Sequence, residues 1–316
     1  MISEAPIKAP VTQKMGQSIL KALAYFDIFD YPLSENEIKN FLQCPAADAV
    51  FSSTLKQMVS DGIIFRFDEF YSLVNDKQRY DRRTQGNSRA AKLIPKACSV
   101  GAFLYKFPYV RGVGISGSLS KNYADKKADF DFFIITRTNR LWIARTVLHL
   151  FKKITFLLGR QHYYCMNYFI DEQSLAIREE NIYTATEIIT LLPVAGSMSM
   201  KSFFKANDWV NEWFALYKRQ QHLRISDRGS WLKRFTEWLF NGSLGDKYDD
   251  LLFRWTTRRW VKKETQGRRN SKGRLMNLVT AKHFSKSDPE AFQDKIVALY
   301  EERLNVLECR WPQCFD

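Results

Sequence analysis

The sequence predicts an α+β fold in which a small mixed sheet lies between a helical unit at the start of the chain and further helices at its end. Apolar residues recur at helical spacing in both outer regions, whereas the middle reads strand, helix, strand, helix, strand. The strands are short apolar runs, among them Val113-Gly114-Ile115-Ser116, Phe130 to Ile135 and Tyr163 to Ile170. With 316 residues, 45% of them hydrophobic, the chain has material for two or three cores. The expected units are 1–75, 76–195 and 196–316.

In the first unit Ile19, Leu20, Leu23, Phe26 and Ile28 form one apolar helix face, and Pro32 stops that helix. Ser34 to Glu37 reads as a capping box, in which side-chain oxygens satisfy the free N–H groups of a second helix. A third helix, Ala47 to Ser60, carries Val50, Phe51, Leu55, Met58 and Val59, and Asp61-Gly62 ends it. Ile63 to Phe67 and Phe70 to Val74 then pair as a hairpin across Asp68-Glu69. Three helices followed by a hairpin resemble a winged-helix domain. Lys56 is the single basic residue of the third helix, whereas a DNA-reading helix carries several phosphate and base contacts. Packing against a neighbour or a protein contact is therefore the expected role.

A helix over 76–104, basic in its first half (Lys77, Arg79, Arg82, Arg83, Arg89, Lys92), leads into the middle unit. Its first strand ends at Gly117-Ser118, and its second opens with Asp129-Phe130-Asp131. A helix from Asn139 to Leu158 and a strand from Tyr163 to Ile170 follow. From about Ile182 onward only helical patterns are expected: Ala185 to Leu192, Met198 to Lys205, Trp209 to Arg219, Trp231 to Phe240, Tyr248 to Lys263 and Pro289 to Leu307.

A net charge of +14 and a pI near 9.5 favour anionic partners such as nucleotides, nucleic acid or acidic lipid. An aromatic content of 15% and a mean hydropathy of −0.35 exclude a disordered chain and match a globular one. The five cysteines (Cys44, Cys98, Cys165, Cys309, Cys314) are scattered without CxxC spacing, so neither a zinc site nor a disulfide framework is indicated. The start of the chain lacks the pattern of a signal peptide. Arg145, His149, Lys152 and Lys153 interrupt the most apolar helix, so no transmembrane segment is expected. A reducing cytoplasm is the expected compartment.

The chemistry concentrates at Gly117, Ser118, Asp129 and Asp131. Residues i and i+2 of a strand project to one face with Cα atoms about 6.6 Å apart. Asp129 and Asp131 should therefore point together while Phe130 and Phe132 are buried on the other side. Two ionised carboxylates on one face repel unless a cation lies between them. Magnesium fits, because it takes one or two protein carboxylates and completes its shell with phosphate oxygens and water. Gly117 lets backbone approach a triphosphate without a Cβ in the way. The N–H groups from Ser118 onward face the anion, and the Ser118 hydroxyl and the Lys121 ammonium add further contacts. The four apolar residues Phe132 to Ile135 mark the acidic strand as a core strand.

At these residues the chain resembles the polymerase-beta-like nucleotidyltransferase superfamily, whose motif is Gly-Gly or Gly-Ser, a gap of about ten residues, then Asp-x-Asp in a strand. Gly117-Ser118 and Asp129-Phe130-Asp131 match it, and the resemblance covers residues 100 to 175. It implies a nucleotidyltransferase core in which Asp129 and Asp131 hold metal ions, the Gly-Ser turn holds the β- and γ-phosphates, and the flanking units are accessory. The family usually adds a third carboxylate on a neighbouring strand. Here that strand offers Asn167, which cannot act as a base, and Asp171 just past its end, which reads as a turn or helix cap.

Among the histidines, His149 lies on an apolar helix face, and His162, His222 and His283 lack metal-ligand spacing. Asp125, Lys126 and Lys127 read as a solvated loop. Eight basic residues crowd Arg258 to Arg274, downstream of aromatics at helical spacing that include Trp231, Phe235, Trp238, Trp255 and Trp260. A helical bundle with a buried aromatic face and a solvated basic face is the leading expectation for that region. Base stacking with phosphate contacts, or an anionic membrane surface, are the alternatives.

Together these readings lead to a magnesium-dependent nucleotidyltransferase moving a nucleoside monophosphate from an NTP to an acceptor hydroxyl, with a small molecule, a protein side chain and an RNA end all open as the acceptor. The catalytic and metal set is Asp129, Asp131 and Asn167, and the nucleotide set is Gly117, Ser118 and Lys121. The rival readings are a weakly active or inactive nucleotide-binding regulator, and an adaptor for nucleic acid or a membrane surface.

Overall fold

The computed structural model describes residues 8–315 except 46, 158, 160, 215, 218–224, 226, 270–272, 274 and 289. Helix α1 (Lys8–Asp27) ends in a turn five residues before Pro32. Strand β1 (Leu33–Ser34) then leads into α2 (Glu35–Asn40). The capping box forms as expected: Ser34 Oγ accepts the Glu37 N–H at 3.3 Å, and the Ser34 N–H donates to the Glu37 carboxylate at 2.8 Å. After α3 (Asp48–Ser60), strands β2 (Phe65–Phe67) and β3 (Phe70–Ser72) form the hairpin, and β1 joins β3 to complete a three-stranded sheet. Ile19, Leu20, Leu23 and Phe26 are buried against Phe51, Leu55 and Met58, as their spacing requires.

Helix α4 (Lys77–Leu104) spends its basic side on the rest of the chain. Arg79 reaches Asp27 at 2.5 Å and Asp30 at 2.7 Å, Arg83 reaches Glu37 at 2.6 Å, and Arg89 donates to the Ala124 carbonyl. The first unit is thus clamped to α4 by charge-assisted bonds, the strong class of hydrogen bond.

A six-stranded mixed sheet forms the centre of the described residues, in the order β7 (Leu192–Ala195), β4 (Val110–Ser116), β5 (Asp131–Thr136), β6 (Cys165–Asp171), β9 (Phe284–Ser287) and β8 (Leu278–Ala281). Strand β4 (Val110–Ser116) leads into the single turn α5 (Gly117–Ser120). Strand β5 (Asp131–Thr136) lies antiparallel to β4 and parallel to β6 (Cys165–Asp171), the parallel crossover being α6 (Leu141–Leu157). Phe132 and Ile134 of β5 pack on the face covered by α4 and α6, with Trp142 and Leu148. Phe133 and Ile135 pack on the other face, with α7 (Ile182–Thr190), α8 (Ser197–Ala206) and the first unit. Side chains that alternate along a doubly covered strand produce these two cores.

The expectation of helices alone beyond Ile182 is corrected. Strand β7 (Leu192–Ala195) forms one edge of the sheet, and the hairpin β8 (Leu278–Ala281) and β9 (Phe284–Ser287) the other. Four-residue strands are too short for periodicity to register, and β7 is buried throughout, so it shows no alternation. Pro193 is tolerated because β7 is an edge strand. The segment 196–316, expected as a helical domain, therefore supplies two strands of the central sheet, and α12 (Phe292–Arg310) places Ile296, Tyr300 and Leu307 in the same core as α1. The remaining helices are α9 (Val210–Trp213), α10 (Trp231–Leu239) and α11 (Ser243–Thr265). Helix α11 docks on α6 through Trp142 and Phe253, and its buried Asp249 accepts the N–H groups of Trp142 and Ile143 at 2.8 and 3.0 Å.

The expected buried aromatic face of the last region is also corrected: Trp231, Phe235, Trp238 and Trp255 are more than half exposed. Within the basic run, Lys272 and Arg274 lie outside the described residues, as do His222 and positions 158, 215, 218, 219 and 289 of the expected helices. Among the described residues no helix is long and apolar enough to cross a bilayer.

Candidate active site

The register of the sheet brings the motif residues together. Ser116, the last residue of β4, pairs with Asp131, the first of β5, so the turn that starts at Gly117 lies beside the acidic strand end. The backbone of Gly117 has φ +67°, the left-handed region that disfavours side chains. A Cβ there would also stand 2.7 Å from Asp131 Oδ2. Glycine is required twice over at this position, for its dihedral and for the closeness of the carboxylate.

Asp129 lies just before β5, where the Phe130 N–H donates to the His162 carbonyl and the Cys165 N–H donates to the Phe130 carbonyl. These bonds extend the pairing with β6 past the strand start and hold residues 129–131 extended. Phe130 and Phe132 are consequently buried in the core on the α4 and α6 side, while Asp129 and Asp131 are half-buried. Both line a cavity of about 1190 Å³ that Gly117, Ser118, Lys121 and Asn167 also line. This volume exceeds the usual range of about 300–1,000 Å³ for small-molecule pockets, which leaves room for a nucleotide and a second molecule.

Asn167 sits at the irregular step of β6, between the pairs Phe132 to Met166 and Phe133 to Tyr168. Its amide Nδ2 donates to Asp131 Oδ1 at 2.6 Å, and its Oδ1 accepts from the Cys165 thiol at 3.2 Å, which Lys152 Nζ approaches at 3.5 Å. Burial pushes the Cys165 thiol up; Lys152 opposes that shift, and the charges of Asp131 and Asp129 reinforce it. Both carboxylates therefore project their field onto the same sulfur.

Lys121 Nζ donates to Glu187 at 2.7 Å and to the Gly117 carbonyl at 3.2 Å, and its own carbonyl accepts from the Tyr31 hydroxyl. The first unit thus touches the segment that follows the Gly117 turn directly. Burial, followed by the charge of Glu187, raises the phenols of Tyr25 and Tyr183 well above their ordinary range.

Asp171 is excluded from this site. It ends β6 opposite Thr136, about 20 Å along the strand from Cys165, and is fully buried. It accepts the N–H groups of Asn139 and Gln173 and bonds His283 Nδ1 at 2.8 Å, a turn-organising role. Asp125, Lys126 and Lys127 are exposed, as expected of a solvated loop. His149 is half-buried on the wall of the same cavity, and its imidazole is held well below the ordinary range by desolvation and by Arg145, Lys152, Lys153 and Lys263.

Sequence reasoning missed Glu187, Cys165, Lys286 and Asp288, which also line the cavity. Glu187 had a signal, being the single charge in the apolar helix Ile182–Thr190. Lys286 and Asp288 had none, because their hairpin was read as part of a helical region.

Among the described residues no group of three or more His, Cys, Asp and Glu side chains is gathered for a metal. The pair Asp129 and Asp131 still fits magnesium, which draws most of its shell from phosphate and water, and the Gly117 cradle keeps the space beside Asp131 clear. Comparison with known proteins returns no matching family profile, no matching curated protein and no matching solved structure.

Proposed function

We propose that the chain is a magnesium-dependent nucleotidyltransferase of the polymerase-beta-like kind. The observation that carries this reading is the apposition of the Gly117 turn to Asp131 across the paired ends of β4 and β5, on the wall of a cavity of about 1190 Å³. Gly117 admits the β- and γ-phosphates to backbone, Ser118 supplies a hydroxyl, and Lys121 supplies a positive charge that Glu187 holds in position. Asp129 and Asp131 would hold magnesium, and Asn167 orients Asp131 through its amide. Bound magnesium would neutralise charge on the triphosphate and lower the pKa of the attacking hydroxyl. The acceptor hydroxyl gives up its proton to solvent, its oxygen forms a bond to the α-phosphorus in line, the bond from that phosphorus to the α–β bridging oxygen breaks, and pyrophosphate leaves. Tyr168 and Tyr183 on the cavity wall offer surfaces against which a base or an acceptor can stack.

The second reading, nucleotide binding without transfer, is favoured by one observation: the position of the customary third acid holds Asn167, whose amide already engages Asp131. Calorimetry with each NTP, with and without magnesium, tests the shared step. The double variant Asp129→Asn with Asp131→Asn should lose magnesium-dependent binding, and retention of parental binding would refute the metal assignment. Pyrophosphate release against a panel of acceptors then separates transferase from binder.

A further inference from the structure

Helix α10 is mounted with its polar side inward. Lys233 is buried, and its Nζ donates to the carbonyls of Tyr105 at 2.8 Å and Val110 at 2.6 Å. One turn on, Glu237 accepts two bonds from Arg111, at 2.8 and 2.7 Å, and the Tyr109 N–H at 2.7 Å. On the opposite side Trp231 and Trp238 are 71% and 73% exposed, with Leu232, Phe235 and Leu239 each about half exposed. A surface helix ordinarily turns such a stripe to the core.

The stripe continues onto α11. The rings of Phe240 and Tyr248 meet at 6.0 Å, and Leu244, Tyr248, Leu251 and Trp255 recur at steps of three and four residues, all exposed. Electrostatics separates by side as well. The four acids between residues 230 and 263 all have inward partners: Glu237 with Arg111, Asp246 with Arg140, and Asp249 and Asp250 with Lys282. Arg234, Lys247, Arg254, Arg258, Arg259 and Lys262 remain exposed, with Arg259 lying over the Trp255 ring.

We propose that this two-helix face lies in the headgroup region of an anionic lipid bilayer. The charge is complementary to acidic headgroups, and tryptophans beside arginines and lysines are the side chains that the interface takes up. Four of the exposed apolar side chains are leucines. Leucines add nothing to base stacking, whereas acyl chains bury leucine and tryptophan alike, and this favours lipid over nucleic acid. Long basic side chains at the rim keep their charges in water while their stems cover apolar surface. The proposal stands independently of any reading of the cavity.

Co-sedimentation of the full chain with vesicles of phosphatidylcholine, with and without phosphatidylglycerol, tests it. Binding to the anionic vesicles should exceed binding to the neutral ones by at least about tenfold, weaken with salt, and shift tryptophan emission to the blue. The combined variant Trp231→Ser, Phe235→Ser and Trp238→Ser should lower anionic binding by at least about tenfold while leaving circular dichroism and Tm unchanged, because these side chains are exposed. Absence of vesicle binding overturns the proposal, as does undiminished binding by the variant. It is equally overturned if the face instead binds duplex DNA or RNA, or if the chain is a dimer that the same substitutions dissociate.

Discussion

Gly117→Ala separates the backbone role of this residue from its role beside Asp131. Gly62 serves as the control, because it has almost the same dihedral, φ +68° against φ +67°, but an added Cβ there meets nothing within 4 Å. A left-handed dihedral costs a non-glycine residue about 1–2 kcal/mol, and the stiffer unfolded chain returns about 0.4–1 kcal/mol of that. Both variants should therefore lose about 0.5–1.5 kcal/mol, seen as a Tm fall of roughly 1–3 °C in calorimetry. Only Gly117→Ala also drives a methyl to 2.7 Å from Asp131 Oδ2, so either the carboxylate rotates away or the turn shifts. Under the proposed function, displacing one of the two carboxylates should cost at least about 1.4 kcal/mol, or tenfold in affinity for the magnesium–NTP complex. Titration calorimetry on both variants reads this directly. Parental affinity in Gly117→Ala would refute the reasoning, and an equal loss in Gly62→Ala would show that it is not local.

Asn167→Asp replaces an amide donor with a third negative charge at 2.6 Å from Asp131 Oδ1. Tm in chelator should fall by roughly 2–4 °C, for a loss of about 1–3 kcal/mol, and the rise on adding magnesium and NTP should exceed that of the parent. Glu237→Ala removes the anchor of α10. Burial favours the neutral acid, yet Arg111 and the Tyr109 N–H hold the Glu237 carboxyl below its ordinary range. The variant should lose about 1.5–3 kcal/mol in urea titration and become protease-sensitive near α10. His149 is held neutral in the folded state and takes up a proton near its ordinary value of about 6.5 when unfolded, so the unfolded chain binds more protons below that pH. Its contribution is present above pH 6.5 and is lost as the pH falls below it. In His149→Gln the slope of stability against pH between 5 and 6.5 should be shallower by about one proton.

The N-terminal helices, their capping box and hairpin, and the two-faced acidic strand were legible because each is a local pattern. Ser34 and Glu37 are three residues apart, and Asp129 and Asp131 flank an apolar Phe130, so helical and strand geometry alone carry them. Strand β7 and the hairpin β8–β9 were not legible, since four-residue strands are specified by the sheet edges that accept them. The basic first half of α4 was legible as composition, but its partners Asp27, Asp30 and Glu37 were not, because they lie 46 to 52 residues away in sequence.

By itself the amino-acid order determined the α+β class, the shared face of the two aspartates and the need for a small residue before Ser118, because steric and periodic rules act over a few neighbours. Tertiary structure alone decided that His283 joins the turn that Asp171 caps, that Glu187 grips Lys121 at the cavity, and that α10 shows its tryptophans to solvent. Those outcomes depend on partners tens to more than a hundred residues away, whose positions follow from strand register and helix docking and are written in no local pattern.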